Sequence, residues 1–275
     1  QNKIPNAYIF TGIRGVGKTT TARIVAKMLN CTVFDKNNNP DLINCEQAKA
    51  ITEDRHPDVI EIDAASNTSV ENAREIIENV KYNPVLGKYK VYIVDEVHML
   101  SKSAFNALLK TLEEPPPHSK FIFATTEISK VPITILSRCQ RFDLRRVEKK
   151  TLSDFLKSIA KKEDITISNE ALNLIVKASD GSVRDSLSIL DQANVFKSQK
   201  EIQVEEIVNM LGFARQGDLY ELSKCILDNN LSKLISMLDD MYQRGSETSK
   251  IIEDMMNIIN WSCKLKINQE LIGDD

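Results

Sequence analysis

The feature that restricts this chain most is a short run near its start. Ala7-Tyr8-Ile9-Phe10 is apolar, residues 12–19 read Gly-Ile-Arg-Gly-Val-Gly-Lys-Thr, and residues 20–29 continue with helical spacing. The pattern G-x-x-x-x-G-K-[ST] between a strand and a helix is that of a phosphate-binding loop. Gly12, Gly15 and Gly17 let the backbone of the loop, Val16 included, aim several N–H groups at one point. The helix that follows, beginning near Thr20, adds the positive end of its dipole there. Lys18 is placed to reach the β- and γ-phosphates of ATP, and the Thr19 hydroxyl to hold Mg2+.

A second run agrees with the first. Val91-Tyr92-Ile93-Val94 leads into Asp95-Glu96. A continuous apolar run of this length reads as a buried parallel strand, and ligand chemistry in open α/β sheets lies at the carboxyl ends of such strands. Asp95 is expected beside the phosphates and the magnesium, and Glu96 to orient and polarise an attacking water. Residues 120–126 (Lys-Phe-Ile-Phe-Ala-Thr-Thr) form a third buried strand, ending where Thr126 can contact the γ-phosphate or that water. Residues 58–63 supply a further short strand. Helices are expected over 70–80, with Ser69 as cap, and over 101–114, where Ser101 or Ser103 caps and Pro115-Pro116-Pro117 terminates. His98 reads as structural.

Composition narrows the class. With 275 residues, 42% hydrophobic and 27% charged, the chain suits two or three soluble domains. No apolar run approaches the roughly 20 residues that cross a bilayer. The five cysteines are unevenly spaced, which fits a reducing cytoplasm better than a disulfide framework. Cys31, Cys45 and His56 fall in a polar insertion over 31–57 without the close pairs of a structural zinc site. Between Lys130 and Lys150, seven Lys or Arg stand against two acids in a chain of net charge −3. That local excess suits an anionic partner. Beyond Glu148 only helical spacing appears, over 151–163, 169–179, 183–196 and 204–211, then in three amphipathic runs over 217–269. Arg184 stands in the first turn of a helix, where a cation opposes the dipole.

Together these pieces are ordered as in one family. Residues 12–21 (GIRGVGKTTT), 63–68 (DAASNT), 95–100 (DEVHML), 106–117 (NALLKTLEEPPP), 123–126 (FATT) and 135–141 (ILSRCQR) closely resemble the gamma/tau subunits of bacterial DNA polymerase III, the AAA+ sliding-clamp loader ATPases. The resemblance spans essentially the whole chain. It implies an α/β fold: an AAA+ P-loop parallel-sheet domain over 1–147, a helical lid over 148–211, and part of a helical collar over 212–275. It implies ATP and Mg2+ as ligands, with Thr19 and Asp95 on the metal, Glu96 catalytic and Thr126 as sensor. Arg138 corresponds to the arginine that reaches the ATP of the next subunit, and Arg184 to the lid arginine facing the γ-phosphate. The implied partners are the other subunits of a five-membered ring, the sliding clamp, and primer–template DNA held by its phosphates; no membrane is implied. The family carries a four-cysteine zinc module in the insertion. Here only Cys31 and Cys45 are present and Ala48 replaces an expected cysteine, so Zn2+ is doubtful. The family's adenine contacts upstream of the loop are expected to lie outside a chain that starts eleven residues before Gly12. The competing readings are another P-loop motor, such as a helicase, and an ATP-inert ring subunit. The intact Lys18, Asp95 and Glu96 argue against the second.

Overall fold

In the computed structural model, residues 4–37, 39–66, 70–196, 201–212, 216–243 and 248–267 are described. The expected cap Ser69 lies outside them. The chain divides into two compact units, residues 1–148 with 180–185, and residues 149–179 with 186–275.

The first unit is built on five parallel strands: β1 (Ala7–Thr11), β2 (Val59–Asp63), β3 (Lys90–Asp95), β4 (Ser119–Thr125) and β5 (Gln140–Asp143), in the order β2-β3-β4-β1-β5. The central strands are apolar throughout because both faces are covered. Val91 and Ile93 pack on one face with Phe10 and Ile122, under Ala22 and Ala26 of α1 (Lys18–Asn30). Tyr92, Val94, Phe121 and Phe123 pack on the other, under α3 (Val70–Val80) and α4 (Lys102–Glu113). The rings of Tyr92, Phe121 and Phe123 stack with centroids 5.4 and 6.1 Å apart. Each fully buried aromatic contributes about 1.5–3 kcal/mol of burial free energy. The short α2 (Glu46–Thr52) lies in the insertion. Ser101 caps α4 by accepting from the Ala104 N–H.

Two features of this unit do not follow from residue spacing. Helical spacing puts Ile24, Val25, Met28 and Leu29 on one face of α1; Val25 and Leu29 do pack against the sheet beside the buried Ala22 and Ala26, but Ile24 and Met28 are 42% and 49% exposed. Close approach of a helix to a sheet favours alanine over bulk there. Strand β5 is not legible as a strand, since all four residues are exposed. Its existence depends on pairing with β1, where Tyr8 faces Gln140 and Thr11 faces Asp143.

The short α5 (Ile133–Leu136) joins β4 to β5, and β5 is followed by α6 (Lys149–Lys162), α7 (Asn169–Ala178), α8 (Val183–Phe196) and α9 (Val204–Leu211). In the second unit Leu152, Leu156, Leu172, Ile175 and Ile207 are buried, and Ser168 caps α7 by accepting from the Ala171 N–H. Helices α10 (Gln216–Leu227), α11 (Leu231–Gln243) and α12 (Thr248–Ile267) pack around Leu219, Leu222, Met241 and Ile251. Among the described residues no helix is long and apolar enough to cross a membrane.

Candidate nucleotide site

Strand order decides where the chemistry meets. β1, which feeds the glycine loop, and β3, which ends in Asp95, are separated by β4. All three run parallel, so residues 12–19, Asp95-Glu96 and Thr126 emerge at the same edge of the sheet. Glycine is required in the loop for two reasons. A Cβ on Gly12 (φ +154°) would lie 2.5 Å from the Leu144 carbonyl oxygen, and one on Gly15 (φ +79°) 2.0 Å from Ser182 Oγ. The second contact shows what holds the loop. The segment Asp180–Asp185 belongs to the same compact unit. The Arg184 N–H donates to the Gly15 carbonyl at 3.2 Å, and the Val147 N–H to the Gly181 carbonyl at 3.1 Å. Arg146 forms an ion pair with Asp180. Gly15→Ala is therefore expected to lower the stability of this unit by about 1–3 kcal/mol, the usual cost of a non-glycine residue in such a conformation. Urea unfolding checks this; an unchanged midpoint would refute the packing of the turn on the loop.

Lys18 is buried at 6% exposure. Its ammonium donates to the carbonyls of Gly12 at 3.1 Å and Ile13 at 3.0 Å. Burial lowers its pKa, and the carboxylates of Glu96 and Asp95 partly restore it. The Thr19 hydroxyl donates to Asp95 Oδ2 at 2.5 Å, while Asp95 Oδ1 accepts the Glu96 N–H at 2.8 Å. A hydroxyl and a carboxylate in contact beside a phosphate loop are the oxygen donors that a hard divalent cation takes, so the residues present fit magnesium.

Glu96 adopts a left-handed backbone, φ 45°, a conformation that costs about 1–3 kcal/mol and clusters at functional sites. Its carboxylate accepts from the Thr126 N–H at 3.2 Å and the Thr126 hydroxyl at 3.0 Å. His98 completes the group, with Nδ1 3.0 Å from Thr125 Oγ1 and 3.4 Å from Glu96 Oε2, and Nε2 3.5 Å from Glu127 Oε1. Sequence reasoning gave His98 a structural place and missed its contacts with Thr125 and Glu127. Nothing in the residue pattern announces them, because they depend on β3 and β4 being neighbours. Val16 is half-buried and Thr20 exposed.

Arg138 is not brought to the loop. Its partners among the described residues are the Thr134 carbonyl, Ser137 Oγ and Glu113. Cys31 and Cys45 are brought together in a small buried cluster with Ala48 and Leu42. Cys31 Sγ donates to the Val33 carbonyl at 3.0 Å. Burial pushes the Cys31 thiol up. At Cys45 burial raises the pKa, but hydrogen bonds from Ala48, Thr32 and Cys31 bring it down to about 7. Among the described residues, no group of three or more His, Cys, Asp or Glu converges as metal ligands.

The fold and the edge at which these residues meet define a P-loop protein of the AAA+ class. Solved structures of Thermotoga maritima RuvB share the fold. One described as a Holliday junction branch migration motor aligns with 92% of this chain and 80% of its own, at 18% identity and TM-score 0.54. Family profiles match three successive stretches: DNA polymerase III, delta subunit, over residues 1–148; DNA polymerase III clamp loader subunit, ATPase lid domain, over 151–198; and DNA polymerase III subunits gamma and tau domain III, over 202–274. The chain is 45% identical to DNA polymerase III subunit tau of Bacillus subtilis over 93% of its length, covering 45% of that protein. It is 41% identical to DNA polymerase III subunit gamma of Buchnera aphidicola over 96% of its length, covering 72% of that protein. The chain belongs to the family of DNA polymerase III gamma and tau subunits. It spans less than half the length of the tau relatives it matches.

Proposed function

We propose that this chain is the ATP-hydrolysing subunit of a bacterial replicative clamp loader, using ATP to place a sliding clamp on primer–template DNA. The observation that carries this is the contact between the Thr19 hydroxyl and the Asp95 carboxylate, beside a buried Lys18, in a chain of the gamma/tau family. In this reading Lys18 exchanges the carbonyls of Gly12 and Ile13 for β- and γ-phosphate oxygens. Thr19 and Asp95 would hold magnesium, which when bound neutralises phosphate charge. Glu96 orients the attacking water and takes its proton, which requires its carboxylate to leave Thr126. Thr126 is then free to sense the γ-phosphate. Arg184, anchored through its backbone to Gly15, faces the γ-phosphate from the start of α8. Gly12, Gly15, Val16, Gly17 and Thr20 complete the cradle.

The organisation follows the same reading. Residues 1–147 form the ATPase domain, 148–211 the lid, and 212–275 part of a collar that joins five subunits into a ring in the cytoplasm. DNA is held by its phosphates and so without regard to sequence. Cys31 and Cys45 pack with Ala48, which stands where the family has a further cysteine, and this makes zinc doubtful. The deciding experiment is ATP turnover by the full-length chain in its assembly, with and without sliding clamp and primed DNA. Stimulation by both is expected. Turnover indifferent to the clamp would point to another P-loop motor, and no turnover to an inert ring subunit.

Arg138 is assigned to the ATP of the neighbouring subunit. Arg138→Ala is expected to leave ATP affinity of the isolated chain unchanged and to lower turnover of the assembly by about 10³-fold, the lower end for an arginine acting in trans. Loss of ATP binding by the isolated chain would overturn that assignment.

A further inference from the structure

We propose that Glu113 is a positioning residue for Arg138, fixing the guanidinium so that two of its donors face an anion presented by a neighbouring subunit. The proposal rests on the reading of Arg138 in trans given above.

Glu113 is the last residue of α4, and Glu114 follows it. The carbonyl end of a helix already carries partial negative charge, so an acid there is misplaced unless a cation faces it. Lys110 is the one basic residue of α4's last turn. Arg138, arriving from beyond α5, supplies the missing cation: its Nη2 donates to Glu113 Oε1 at 2.5 Å. Its Nη1 donates to the Thr134 carbonyl at 2.6 Å and to Ser137 Oγ at 3.2 Å.

A guanidinium has five N–H donors in a rigid plane. Three are thus engaged by this chain. The Nε–H and one Nη2–H have no acceptor among the described residues. Two such donors in a fixed plane are what recognition of a phosphate requires. Glu113 and Arg138 also line one cleft of about 740 Å³, with Asn6, Leu112, Ser137 and Gln140.

The pair is open to solvent, with side chains 51% and 32% exposed, and an exposed ion pair contributes little to stability. Its consequence is geometric. Thr134 and Ser137 hold only Nη1 and lie within four residues of Arg138 in the chain. Glu113 ties the opposite nitrogen to a separate helix and stops the plane from rotating.

The test compares E113A, E113Q, R138A and the double variant E113A/R138A in the full-length chain assembled with its partner subunits. ATP turnover of the assembly is measured beside ATP binding by each isolated chain. E113A is expected to lower kcat at least fivefold with isolated-chain affinity unchanged. E113Q, whose side-chain carbonyl still accepts the Nη2–H, should recover to within twofold of wild type. The double variant should be no slower than R138A, since a positioning residue has no effect once its target is gone. Losing an acid at the negative end of α4 does not weaken that helix, and circular dichroism checks that the variants fold.

If E113A turns over at the wild-type rate while R138A is impaired, the positioning role is wrong. If E113A is faster, the carboxylate restrains Arg138 rather than presenting it, and the role is again wrong. Additive losses in the double variant would mean that Glu113 acts independently of Arg138, which also overturns it. A wild-type rate for R138A removes the reading of Arg138 itself, and this role with it.

Discussion

Replacing Lys18 by alanine is expected to remove most nucleotide binding. The ammonium is buried and donates to two loop carbonyls, Gly12 and Ile13, which it would exchange for phosphate oxygens in the proposed site. Truncating one partner of a buried, hydrogen-bonded charge pair costs about 2–5 kcal/mol. That is a weakening of roughly 30-fold to several thousand-fold. The loop itself should survive, because its shape is held by glycine conformations and by the contacts of Ser182 and Arg184 with Gly15. Titration with a fluorescent ATP analogue measures the effect. Unchanged affinity in a folded Lys18→Ala variant would show that residues 12–19 are not the nucleotide site.

Glu96→Gln separates binding from chemistry. Glutamine has nearly the same shape, and its carbonyl can still accept from the Thr126 N–H and hydroxyl that hold Glu96 now. It cannot take a proton from water. ATP affinity should change by less than about threefold, while turnover in the assembly falls by about 10²- to 10⁴-fold, the contribution of a positioned general base. Single-turnover measurements with radiolabelled ATP distinguish the two. Turnover close to wild type would assign the water to another group, and loss of ATP binding would place Glu96 among the binding residues instead. His98, 3.4 Å from Glu96 Oε2 and bonded to Thr125, is the side chain that keeps this carboxylate company from the β4 side.

Much of the fold was legible in the residues. The uninterrupted apolar runs at 91–94 and 121–124 read as strands covered on both faces, and the three prolines at 115–117 stop α4, which ends at Glu113. Ser101 and Ser168 cap their helices because a serine hydroxyl answers a free N–H within its own turn. Such features are local, so spacing reveals them. β5 was not legible, since an exposed edge strand has no hydrophobic pattern and is created by its neighbour. The choice of Ala22 and Ala26 over Ile24 and Met28 as the sheet contact of α1 depended on how closely the helix approaches.

The site divides in the same way. The sequence by itself determined that this chain has a glycine-rich loop between a strand and a helix, with a lysine and a hydroxyl at its end, and two carboxylates closing a buried strand. Those properties belong to residue types at fixed short spacing, and conformational freedom at glycine and the dipole of one helix suffice to explain them. Only the tertiary structure decided which groups touch. Placing β4 between β1 and β3 is what lets Thr126 hold Glu96 and His98 meet Thr125. Folding Asp180–Asp185 onto Gly15 puts Arg184 at the loop from more than 160 residues away in the chain. Glu113, unremarkable in its own segment, pairs with Arg138 only because α4 ends where α5 delivers that arginine. Hydrogen bonds and ion pairs act over a few ångströms of space, and distance along the chain does not encode distance in space.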